Sequence, residues 1–94
     1  MIEFAQARVN ELLTKKPKFA ALLKSAAKNQ ISVKAIDIHD NYTSVILHQK
    51  DYFYIGYAKC NPNCDGTDDE RGVTIACSKA LSRILDADSL EFTF

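Results

Sequence analysis

The side chains in this 94-residue chain with the means to do chemistry are three cysteines, two histidines, four tyrosines and an acidic, asparagine-rich loop. Cys60 and Cys64 stand with three residues between them, and Cys77 follows in a different setting. A structural zinc site wants paired ligands at knuckle spacing; Cys60-x3-Cys64 lacks that spacing and no second pair follows. Asn61-x-Asn63-x-Asp65-Gly66 places oxygen ligands at alternate positions and glycine sixth, like the first half of a calcium loop. The twelfth position is Gly72 instead of the bidentate glutamate, leaving Asp69 and Glu70 as the substitutes. Asn61, Asn63, Asp65, Asp69 and Glu70 are thus an incomplete calcium loop, and helix capping accounts for the same acidic residues. His39 and His48 have Asp37 and Asp40 near them in sequence, but no base, nucleophile and orienting group form a set. There is no glycine-rich phosphate loop. We expect no enzyme, no metal and no cofactor.

The remaining chemistry is recognition. Tyr42, Tyr52, Tyr54 and Tyr57 are able to stack nucleic-acid bases or to pair across strands. Net charge is zero but unevenly spread: residues 1–34 carry seven basic and two acidic side chains, and residues 35–94 five basic and ten acidic. Such an asymmetry serves nucleic acid, an acidic protein partner or self-association, and it also describes a solvated helix face. The contact candidates are Lys15, Lys16, Lys18, Lys24 and Lys28.

These groups need elements to hold them. Ile2, Ala5, Val9, Leu12 and Leu13 share one helical face over 2–14. Pro17 breaks this helix or opens a second one, in which Phe19, Leu22, Leu23, Ala26 and Ala27 repeat at helical spacing until about Asn29. The apolar face is alanine-rich and lacks tryptophan, which suits a core better than a membrane surface. Three strands follow, Val33 to His39, Tyr42 to Gln49 and Tyr52 to Lys59, joined by Asp40-Asn41 and by Gln49-Lys50-Asp51. Val45 and Leu47 face one way, and Ser44, Ile46 and His48 the other. A helix from Asp68 to about Asp86 then buries Val73, Ala76, Cys77, Ala80, Leu81 and Ile84 on this sheet. Thr67 to Glu70 is its capping box. Gly72, costly inside a helix, indicates close packing against a strand. Leu90, Phe92 and Phe94 alternate with polar residues, so 89–94 reads as a short strand-like tail, able to dock on its own sheet or on a second subunit.

Gly56, Ala58, Lys59 and Asn61-Pro62, then Glu70-Arg71-Gly72, Ile75-Ala76 and Lys79-Ala80-Leu81, resemble a small bacterial and phage family. Its pattern is Gly-x-Ala/Gly-basic-x-Asn-Pro, an acidic loop, Glu-Ile-Gly and Ala-x-x-Arg-Ala-Leu. The resemblance covers roughly residues 33–86. Lys79 stands for the usual Arg, Arg71 for an apolar residue, and the acidic loop is slightly longer. The resemblance implies a fold similar to the double-stranded-RNA-binding domain, with a three-stranded antiparallel sheet and a helix on it, and a phage or prophage origin. It brings no established activity. RNA-binding versions of that fold put lysines at the start of the last helix, where this chain has Asp65, Asp68, Asp69 and Glu70, which repel phosphate.

The expectation is therefore one α+β domain over 1–94: a helix or helical hairpin in 1–30, a meander and long helix over 33–86 in the manner of the double-stranded-RNA-binding domain, and the tail at 89–94. No apolar run approaches the roughly 20 residues of a membrane span. No signal peptide opens the chain, so we expect a cytoplasmic protein without a membrane partner and with free thiols. The function expected is that of a small non-catalytic interaction protein, binding a host protein or itself, most simply as a two-fold dimer through Leu90, Phe92 and Phe94. The alternative is a nucleic-acid-binding module working through its basic N-terminal helices.

Overall fold

A computed structural model of the chain describes residues 2–22, 31–39, 42–49, 51–59 and 69–91, with side chains described over 70–87 in the last segment. Helix α1 spans Ile2–Lys15, strands β1, β2 and β3 span Ser32–His39, Tyr42–Gln49 and Tyr52–Lys59, and helix α2 spans Asp69–Glu91. The sheet is an antiparallel meander in the order β1-β2-β3. Both helices lie on one face of it: α2 rests on β3 and β2, and α1 on β1 and against α2. The architecture is α+β, and it is compatible with the double-stranded-RNA-binding-domain arrangement.

The helical period in 2–14 holds. Ala5, Val9, Leu12 and Leu13 are buried, while Ile2, at the open end, is exposed. Glu3 in the first turn and Lys15 in the last complement the helix dipole. Pro17 occupies the first turn of a 3-10 segment, Pro17–Phe19, where its missing N–H costs nothing. That segment drops Phe19 fully into the core, and helical backbone continues over 20–22 with Leu22 buried. The rest of the expected second helix, 23–30, lies outside the described residues.

In the sheet, period-2 alternation decides what is inside. Thr43, Val45, Leu47 and Gln49 of β2 are buried under the helices, and Ala58 of β3 joins them. From α2, Val73, Ala76, Cys77, Ala80, Leu81 and Ile84 complete one continuous core. The closest approach is at Gly56. A Cβ built there would sit 1.9 Å from the Ala76 carbonyl oxygen and 2.6 Å from the Ala80 backbone nitrogen. Gly72 makes a second contact of this kind, its missing Cβ falling 2.6 Å from Thr43 Oγ1. Gly56, Ala76 and Ala80 thus let helix backbone rest on strand backbone.

The strand-like tail is corrected over residues 89–91. α2 continues through Ser89, Leu90 and Glu91 as helix. After Gly72 the chain has neither glycine nor proline to stop a helix, and the period that buries Leu81 and Ile84 simply runs on. Phe92 and Phe94 lie outside the described residues, as does Thr67 of the capping box.

Gly56→Ala is expected to destabilise by at least the roughly 1–3 kcal/mol typical of overpacking, because the atoms in its way are backbone. Ile84→Ala, emptying a fully buried site, is expected to cost about 2–5 kcal/mol. Urea unfolding followed by circular dichroism checks both; Gly56→Ala at wild-type stability would mean that α2 does not sit against β3 as described.

Candidate interaction surface

The same alternation that fills the core leaves an opposite set of side chains on the outer face of the sheet. β2 contributes Tyr42, Ser44, Ile46 and His48, and β3 contributes Phe53, Ile55, Tyr57 and Lys59. The register sets Tyr42 opposite Lys59, Ser44 opposite Tyr57, Ile46 opposite Ile55 and His48 opposite Phe53. β1 adds Asp37 opposite Ser44 and His39 opposite Tyr42. Tyr42, Phe53 and Tyr57 are each about half exposed or more, at 47%, 57% and 49%, and Ile55 is exposed too. The rings of His48 and Phe53 stack with centroids 4.9 Å apart, and Lys59 Nζ lies 5.6 Å from the centre of the Tyr42 ring. Both contacts hold apolar and aromatic groups in a fixed array on the open face. Such a contiguous apolar patch marks an interaction site more often than chance exposure does.

The four tyrosines therefore divide. Tyr42 and Tyr57 belong to the outer face, Tyr54 packs partly buried against the core, and Tyr52 is exposed at the hairpin end of β3. Behind the edge of β3 runs a shallow groove lined by Phe53, Tyr54, Ile55, Tyr57 and Arg83. Among the described residues in register on the outer face, the charged ones are Lys59 and Asp37. They offset one another, which suits a protein surface better than a polyanion.

The basic candidates are brought only partly together. Lys15, Lys16 and Lys18 are exposed at the junction of α1 and the 3-10 turn. Lys15 Nζ pairs with Glu11 at 3.1 Å and Lys18 Nζ lies 4.8 Å from the centre of the Phe19 ring. The Lys15 hydrogen bond and charge, with Arg8 behind them, hold the Glu11 carboxyl below its ordinary value. Lys24 and Lys28 lie outside the described residues.

In the incomplete calcium loop, Asn61, Asn63 and Asp65 lie outside the described residues, as do Cys60 and Cys64. Asp69 is the first residue of α2. Glu70 turns its carboxylate to the Arg8 guanidinium, which also holds Glu11 at 2.9 Å. A carboxylate neutralised by arginine is a poor calcium ligand. Among the described residues no group of three or more His, Cys, Asp or Glu is placed to hold a metal. No helix among them is long and apolar enough to cross a membrane. Leu90 lies on the last turn of α2 instead of on a strand.

Two groups carry more of the structure than their sequence positions suggested. Gln6 Oε1 accepts the Val33 N–H at 2.8 Å, and its Nε2 donates to the Ile31 carbonyl at 3.4 Å. Arg8 ties α1 to α2 through Glu70 and lies 5.3 Å from the Phe4 ring centre. Both are polar residues on a helix with a clear apolar stripe, and nothing local marks which polar residue meets a strand end.

Compared with known protein families, curated proteins and solved structures, the chain matches no family model, no curated protein and no solved structure.

Cys77 is fully buried, with Sγ 3.9 Å from the Ala5 carbonyl oxygen. Burial pushes its thiol up from 9.0 to about 12, against a weaker opposite pull from Arg8. The unfolded chain then loses this proton first. Stability from the protonated thiol is full below about pH 9 and falls as pH rises toward about 12. Cys77→Ala should show a shallower alkaline loss of stability than wild type in denaturant titrations over that range. Native Cys77 should also resist iodoacetamide until the chain is unfolded; rapid native alkylation would contradict its burial.

Proposed function

We propose that this chain is a small non-catalytic interaction protein, cytoplasmic and of phage or prophage origin, that docks a protein partner or a second copy of itself on the open face of its sheet. The observation that carries this reading is the exposed array of Tyr42, Phe53, Ile55 and Tyr57, held in register and not used by the core. Aromatic groups of this kind supply contact area at low entropic cost, and they are enriched where proteins bind one another. The near balance of charge around them directs the surface to protein and away from phosphate.

The test is affinity capture from a bacterial lysate by the whole chain and by a Tyr42→Ser, Tyr57→Ser variant, with sedimentation to register self-association. Partners or self-association lost in the variant, with far-ultraviolet circular dichroism unchanged, support the reading. Equal capture by both chains places the docking surface elsewhere.

The second reading is nucleic-acid binding by Lys15, Lys16 and Lys18 together with Lys24 and Lys28, favoured by the exposure of the first three at one end of α1. The acidic start of α2 opposes the contact that related RNA-binding folds make there. We expect no tight binding to double-stranded RNA in gel shifts at physiological salt. Sub-micromolar binding near 150 mM salt, lost on changing the Asp65–Glu70 segment and kept when the N-terminal lysines are removed, would reverse that expectation.

A further inference from the structure

The two edges of the sheet are built differently. The β1 edge is closed. Its register slips between Val33 and Ala35, leaving Lys34 as an extra residue in a bulge, and Gln6 of α1 takes the Val33 N–H. Lys34 and Asp37 add exposed charge along that strand. A bulge, charged side chains and a covering helix are the devices by which proteins keep an edge from pairing. Among the described residues β3 has none of them. Tyr52 to Ala58 runs seven residues without a charge, a proline or a bulge, and no described strand pairs with its outer side.

The register of the hairpin says which groups that edge offers. Gln49 faces Tyr52 across a two-residue turn, so these two form the hydrogen-bonded pair next to the turn. Alternation then directs the N–H and C=O groups of Tyr52, Tyr54, Gly56 and Ala58 toward β2. Those of Phe53, Ile55, Tyr57 and Lys59 point to the open edge.

We propose that β3 pairs antiparallel with β3 of a second copy, across a two-fold axis at Ile55, joining two sheets into one of six strands. This deepens the docking reading above and rests on it. In this register Ile55 meets Ile55 of the copy, and Phe53 meets Tyr57 in both directions, all at positions whose backbone groups point outward. Exposed Asp51 at the turn comes beside Lys59 of the copy at each end. The strand is thus its own complement in apolar pairing, in charge and in hydrogen bonding, which is what an isologous interface requires. A net charge of zero leaves no long-range repulsion between copies. A one-step shift of two residues breaks the Asp51–Lys59 match, so charge selects this register among those the backbone allows.

The test is sedimentation velocity on the full chain from low micromolar to near-millimolar concentration. We expect a monomer–dimer equilibrium. Ile55→Lys sets two like charges on the axis and should weaken the dimer about a hundredfold or more. Asp51→Lys and Lys59→Asp should each weaken it about fivefold, and the double exchange should restore it. Ile55 is on the outer face, and the exchanged charges are at exposed ends, so circular dichroism and thermal midpoints should change little. A chain monomeric throughout overturns the pairing; if the Tyr42→Ser, Tyr57→Ser variant still loses captured partners, the broader docking reading stands without it. A dimer indifferent to Ile55→Lys and to the charge exchange overturns this register and moves the interface elsewhere, as would a dimer lost only on removing residues 92–94.

Discussion

Helix backbone touches strand backbone at Gly56, and the rest of the arrangement follows from how little room that contact allows. With a side chain at this position, α2 would be held off the sheet by the thickness of a methyl group or more, and the seam of Ala76 and Ala80 would have nothing to rest on. Because the contact is on β3, α2 covers β3 and β2 and leaves the space above β1 unfilled. α1 occupies that space, with Ala5, Val9, Leu12 and Leu13 meeting the core from the side. Phe19 and Leu22 close it from below the turn at Pro17. Close packing of this kind transmits strain, since neither a carbonyl oxygen nor a helix N–H can move out of the way as a side chain would.

The N-terminal region is accordingly part of the fold and not an arm attached to it. Its polar face does structural work. Gln6 accepts the Val33 N–H at the start of β1, and Arg8 bridges the two helices at Glu70. A surface ion pair of this kind contributes little by itself. Its effect on chemistry is larger: Glu70 is committed to Arg8, so the acidic loop loses one of the carboxylates that gave it the look of a cation site. The basic excess of the first 34 residues divides the same way, with Arg8 and Lys15 engaged by acidic neighbours on the protein itself.

Placing both helices on one face has a consequence for function. A three-stranded sheet has two faces and two edges, and the helices cover one face and help close one edge. What the described residues leave uncovered is the aromatic outer face and the β3 edge, which meet along Phe53, Ile55 and Tyr57. Sequence economy would favour polar residues there if the surface were only solvated. Aromatic and β-branched residues cost solubility unless something covers them.

The elements themselves were legible in the chain. The period of Val73, Ala76, Cys77, Ala80, Leu81 and Ile84 named the buried face of α2 residue by residue, and the alternation of β2 named the buried face of the sheet, because both depend only on backbone geometry. Pro17 marked a turn for the same reason. Residues 89–91 are helix instead of strand because no stop signal ends α2 before them. Tertiary structure alone decided which aromatic residues are left outside, which strand becomes an open edge, and which polar side chains join distant segments. Gln6 to Val33, Arg8 to Glu70 and Gly56 to Ala76 each link positions far apart in the chain, and local propensity carries no information about partners that only folding brings together.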